Sequence, residues 1–118
     1  MLFRSVDAEK YLRQSLAIRE TKEPGVWSTF NTQSVLGAAL LGQKKYSEAE
    51  PLLLRGYEGM KQVENKIPVP NKLPLSEALE RLVQLFDAWD KPDQAARWRK
   101  EFEAHKKPAG EPKQSKAK

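Results

Sequence analysis

Residues 36–50 read LGAALLGQKKYSEAE, and one glycine in this stretch decides the fold. Gly37 lies inside an apolar run that otherwise reads as helix. A helical glycine is about 1 kcal/mol less favourable than alanine, so it needs a reason. Ala49 follows twelve residues later, with Tyr46 three before it. Two helices that approach closely need small residues where their axes meet, because a larger side chain would hold them apart. By helix propensity alone, Gly37→Ala is expected to stabilise the helix by up to about 1 kcal/mol. Leu at the same place is expected to overfill the contact, at a cost of about 1–3 kcal/mol.

Helical periodicity extends outward in both directions. Residues 5–21 place Ala8, Tyr11, Leu12, Ser15, Leu16 and Ile18 at helical spacing, which predicts one apolar stripe. Pro24-Gly25 breaks the chain. Ser28 or Thr29 is expected to cap the next helix, running to about Gln43 with Val35, Leu36, Ala39 and Leu40 inward. Ser47 and Glu50 have the spacing of a capping box, with Pro51 near the fourth position of the helix they open. That helix continues through Leu53, Tyr57 and Met60 toward residue 64. KIPVPNKLP, with three prolines in nine residues, predicts a loop. Leu79, Leu82, Val83 and Phe86 mark a helix that Lys91-Pro92 stops. Asp93 is expected to cap a last helix to about residue 105, carrying Ala95, Trp98 and Phe102. No strand pattern occurs, so the chain reads as all-α, about five helices in antiparallel hairpins.

Composition narrows the chemistry. The chain has 118 residues, 39% hydrophobic and 31% charged, with no cysteine and one histidine, His105. Disulfides, thiolate metal sites and cysteine nucleophiles are thereby excluded, and no metal site or histidine acid/base pair is expected. The N-terminus lacks a signal-peptide core and no run is long enough to span a bilayer, so the expected location is the cytoplasm, with no membrane partner. The net charge is +5, yet residues 104–118 hold five Lys and one Glu, or +4 of it. The basic character belongs to a Pro/Gly/Lys-rich tail, 106–118, whose composition predicts disorder. A specific nucleic-acid partner is not expected.

The segments repeat. DAEKYLRQSLAI from residue 7, EAEPLLLRGYEG from 48 and QAARWRKEFEAH from 94 each carry alanine second, at Ala8, Ala49 and Ala95. Leu12 and Leu53 follow four residues later, whereas Arg99 breaks the pattern. Leu36-Gly37-x-x-Leu40 precedes Ala49 at the offsets by which Leu82-Val83-x-x-Phe86 precedes Ala95. The helix–turn–helix unit thus occurs twice (28–64 and 75–105), after an orphan helix at 5–21. Gly37, Ala49 and Gly56 are the expected points of close approach.

Leu36, Gly37, Leu40, Tyr46, Ala49 and Leu53 resemble the tetratricopeptide repeat (TPR), over about residues 5–105. The Ala-to-Ala offsets of 41 and 46 imply long linkers, as in kinesin-light-chain-like members. The wording from Leu36 to Phe102 also resembles the TPR region that follows serine/threonine kinase domains in some large bacterial proteins. In the last repeat Val83 replaces the glycine and Pro92 the turn aromatic. The resemblance implies a short right-handed α-solenoid that binds a peptide or protein on the concave face of its first helices. Carried over position by position, it implies contacts from Asn31, Ser34, Ala38 and Leu41, then from Glu77, Arg81, Gln84 and Asp87. The Lys/Asn set with which chaperone-binding members clamp a carboxylate is not reproduced; only Asn31 comes close.

Motifs for catalysis are missing from the sequence. Phosphoryl transfer needs a Gly-rich loop, a strand-borne Lys and two Asp roles, none of which is present. GYEG at 56–59 follows no strand and precedes no GK[ST], so it reads as helix with two small residues. Glu77 and Glu80 read as a solvated face, and Trp27, Trp89 and Trp98 as core or staple packing. The expected function is therefore a non-enzymatic scaffold without cofactor. The alternative is the detached C-terminal TPR portion of a larger enzyme, most plausibly a bacterial serine/threonine kinase, since the first helix lacks its hairpin partner. That orphan helix, through Tyr11, Leu12, Leu16 and Ile18, is expected to support self-association, and the charged last helix to act as a polar cap.

Overall fold

The computed structural model describes residues 2–67 and 73–106, and among these it has five α-helices. They are α1 (Leu2–Lys22), α2 (Trp27–Gly42), α3 (Tyr46–Gln62), α4 (Leu73–Ala88) and α5 (Pro92–Lys106), with a 3₁₀ turn at Glu64–Lys66. The described residues are all-α. Pro68 and Pro70 of the expected loop, and the basic tail from 107 on, lie outside the described residues; Pro74 falls in the first turn of α4. Each helix packs on the next in sequence, and α2 also meets α4. The least dimension, 21 Å, is about two helix diameters, so the helices lie two deep. Leu36 and Leu40 of α2, Leu53 and Met60 of α3, and Leu75, Leu79, Leu82 and Phe86 of α4 form the core, closed by Ala95 and Trp98 of α5.

The two hairpins turn in the same way. Lys44 and Asp90, 46 residues apart, adopt left-handed φ values of 66° and 60°. After each, an amide reaches back to close the preceding helix: Lys45 N to Leu40 O and Lys91 N to Phe86 O, both 2.9 Å. The residue in the left-handed position bonds one turn back as well, Lys44 N to Leu41 O at 2.9 Å and Asp90 N to Asp87 O at 3.3 Å. These are the paired bonds of a Schellman ending. The next helix then opens identically, Ala49 N on Lys45 O at 2.9 Å and Ala95 N on Lys91 O at 3.0 Å. The 46-residue offset seen in the alanines is thus an offset in backbone geometry.

Several local expectations change. The helix after the first turn begins at Tyr46, with Lys45 as its N-cap and no side-chain cap bond, so Ser47 and Glu50 form no capping box. Pro51 is consequently the sixth residue of α3 and not about the fourth; it is exposed, as is Ser47, the residue whose carbonyl it leaves without an amide. Neither Ser28 nor Thr29 caps α2, whose N-cap is Val26. Their hydroxyls instead fix the α1–α2 corner: Thr29 Oγ1 donates to Glu23 O at 2.6 Å, and Arg19 Nη1 donates to Ser28 Oγ at 3.2 Å. Pro92 opens α5, a favoured first position for proline, and α4 has already ended at Ala88. The α1 stripe also divides. Leu16 is buried and Leu12 packs on the core, whereas Tyr11 and Ile18 are 68% and 59% exposed.

Gly37, Gly56 and Gly59 lie where α2 and α3 touch. A Cβ at Gly37 would stand 2.6 Å from Leu53 Cγ and 3.2 Å from Leu53 N. Even alanine is therefore too large, which corrects the stabilisation expected from propensity. At Gly56 a Cβ would stand 2.7 Å from Phe30 O and 2.9 Å from Ser34 N, both backbone atoms. At Gly59 it would enter the Phe30 ring. Backbone cannot rotate aside as a side chain can, so Gly56 holds the tightest constraint. We expect Gly56→Ala to destabilise by about 1–3 kcal/mol in urea melts. Gly25→Ala, with nothing within 4 Å of its Cβ, should be near neutral.

α1 is tied to the α2–α3 turn through Glu9. Its carboxylate accepts from Gln43 Nε2 and Arg13 Nε, 2.7 Å each, with Lys45 Nζ at 3.6 Å. The Gln43 hydrogen bond, then that from Arg13, holds its pKa below the ordinary 4.5. A carboxyl whose native pKa is depressed adds stability that is complete above its unfolded value and is lost as pH falls through the native one. Glu9→Gln should therefore melt at lower urea than the parent at pH 7. The gap between them should close below the ordinary carboxylate range.

Candidate interaction face on α2 and α4

Arg81 joins the first helices of the two hairpins. Its Nη1 donates to Ser34 Oγ at 3.0 Å, and its Nη2 lies 3.9 Å from Glu77 Oε1, one turn back on α4. The side chain is half-buried. Desolvation lowers its pKa from the ordinary guanidinium value, opposed by Glu77 and Glu80, and a guanidinium keeps its charge throughout. Ser34 is fully enclosed between Arg81 and the close approach of Gly56. The hydroxyl that resemblance places in a binding groove is thus the one that receives α4.

The other expected contact residues divide by helix face. Asn31 and Ala38 are half-buried on the open side of α2, and Glu77 and Gln84 are exposed on α4 beside Arg81. Leu41 is half-buried against the core. Asp87 sits about 120° round α4 from Arg81 and pairs with Arg99 of α5, Oδ2 to Nη2 at 2.6 Å. Two further residues belong to the open face: Val35, expected inward but half-buried four after Asn31, and Ala88, missed in the sequence and exposed seven after Arg81. The helical period counted from Asn31 and Arg81 would have found both.

Two buried acceptors lack a partner among the described residues, Asn31 Oδ1 and Gln33 Oε1. Gln33 turns to α1, where its Nε2 donates to Glu20 Oε2 at 3.0 Å. Asn31 lies one turn from Ser34 on the face that Arg81 reaches. The face therefore combines a cation on a desolvated stem, an unused amide acceptor, a carboxylate at Glu77 and an amide at Gln84.

The remaining candidates are structural in placement. GYEG forms the middle of α3 against Phe30 and Ser34. Trp89 lies 5.9 Å from Tyr46 and 6.3 Å from Phe86 by ring centroids, and Trp98 meets Tyr57 edge-on at 5.6 Å. Trp27 packs on the core. His105 Nδ1 lies 3.0 Å from Ser76 Oγ, linking the end of α5 to the start of α4. Among the described residues no group of three His, Asp or Glu could hold a metal, and no helix is long and apolar enough to cross a membrane. No protein-family model, curated protein or solved structure matches the chain.

Proposed function

We propose that this chain is a non-catalytic, cytoplasmic interaction module, a short right-handed α-solenoid of TPR-like hairpins, that holds a peptide against the face shared by α2 and α4. The observation that carries the reading is the unpartnered Asn31 Oδ1 one turn from the Ser34–Arg81 link. An unused buried acceptor costs free energy until something donates to it, about 1–3 kcal/mol. A peptide backbone offers donors and acceptors in alternation, and Asn31, Arg81, Glu77 and Gln84 offer their complements. The repeated turn geometry supports the solenoid, since each hairpin presents its first helix in the same manner.

Panning a displayed random-peptide library on the whole chain tests this. Selected peptides should shift the NMR amide signals of Asn31, Val35, Ala38, Gln84 and Ala88. Arg81→Met, which keeps an apolar stem, should weaken them at least about tenfold. Failure to select any peptide would contradict the proposal. So would shifts confined to α1 or α5, or peptides indifferent to Arg81→Met.

A further inference from the structure

The outer side of α1 is independent of the α2–α4 face. Glu9, Leu12, Arg13, Leu16 and Glu20 turn inward: Leu16 is buried, and Glu9, Arg13 and Glu20 bond to Gln43, Glu48 and Gln33 of α2, α3 and their turn. On the other side Asp7, Tyr11, Gln14, Ser15, Ile18 and Lys22 lie within about 60° of one line along the helix. All of these are exposed except Ser15, which is half-exposed. A seam of this kind has a sequence symmetry. Reversed end for end about its midpoint, it matches tyrosine with isoleucine and aspartate with lysine.

We propose that α1 pairs antiparallel with α1 of a second copy, about a two-fold axis that passes between Gln14 and Ser15. A two-fold contact must be self-complementary, and this one is so in both shape and charge. Tyr11 of one copy comes level with Ile18 of the other, and Asp7 level with Lys22, each pair occurring twice. Gln14 and Ser15, uncharged, meet at the axis, where a charge would face its own copy. Parallel pairing would instead set Asp7 beside Asp7 and Lys22 beside Lys22, so charge selects the antiparallel arrangement. The seam from Asp7 to Lys22 is about 22 Å long, and so short a contact gives a concentration-dependent dimer rather than a permanent one.

The chain has no cysteine, so a single introduced thiol reports on one position. Sedimentation equilibrium over a concentration series should show monomer and dimer in exchange. Gln14→Cys, beside the axis, should oxidise to a covalent dimer, and Ala96→Cys, exposed on α5, should not. Ile18→Glu should raise the dissociation constant at least about tenfold without changing the melt. Lys22→Asp should weaken the dimer, and Asp7→Lys in the same chain should restore it. A monomer throughout the series would overturn the proposal. So would equal cross-linking from positions 14 and 96, a dimer unmoved by Ile18→Glu, or a charge swap that fails to restore association.

Discussion

The close approach of α2 and α3 is the constraint on which the other contacts rest. Leu53 lies against the bare Cα of Gly37, and the Phe30 carbonyl and Ser34 amide lie against that of Gly56. Glycine at two such places in helices sacrifices propensity, roughly 1 kcal/mol each, and the packing it permits must exceed that loss. With α2 pressed onto α3, Ser34 is fully enclosed, and its hydroxyl has one direction left in which to find a donor. Arg81 of α4 supplies it. That polar tie lies beside the apolar core the two hairpins share, where Leu53 and Met60 of α3 cluster with Leu75, Leu79 and Leu82 of α4.

The second hairpin solves the same contact differently. At the 46-residue offset Val83 stands for Gly37 and Arg99 for Leu53, so the aliphatic–glycine pair is not repeated. Arg99 cannot bury there and instead pairs with Asp87 across the hairpin. Gly59 against the Phe30 ring becomes His105 against Ser76, the large residue having changed helix while the pair remains one large and one small. Polar ties do at α4–α5 part of what close packing does at α2–α3. An exposed pair such as Asp87–Arg99 contributes little, typically under about 1 kcal/mol, and the α4–α5 contact rests chiefly on Phe86, Ala95 and Trp98 in the core.

Much of this was legible in sequence. The apolar spacing located all five helices, and the Ala49/Ala95 and Gly37 pattern located the repeat and the helix contact. Cap positions were not legible, because Ser47 and Thr29 are good caps by type, whereas the Schellman turns at Lys44 and Asp90 set where the next helix begins. Neither is glycine, so the left-handed residues gave no signal of their own. The α1 stripe was misread for a geometric reason. Tyr11 and Leu16 are both apolar and near in sequence, yet they lie about 140° apart on a helix. All eight expected contact residues come from repeat position, and of these Asn31, Ala38, Glu77, Arg81 and Gln84 share the open side of α2 and α4. Ser34 and Asp87 were placed by repeat position, and their neighbours Arg81 and Arg99 decide what each does.

Gly37 is glycine because Leu53 occupies the space of its Cβ. A double-mutant cycle in urea over Gly37→Ala and Leu53→Ala tests it most directly. Leu53→Ala opens a cavity and is costly in itself, about 2–5 kcal/mol, but it also removes the atoms that crowd position 37. Gly37→Ala should destabilise the parent chain and become neutral or stabilising beside Ala at 53, with a coupling of at least about 1 kcal/mol. If Gly37→Ala has the same effect in both backgrounds, the close-approach account of the fold is wrong.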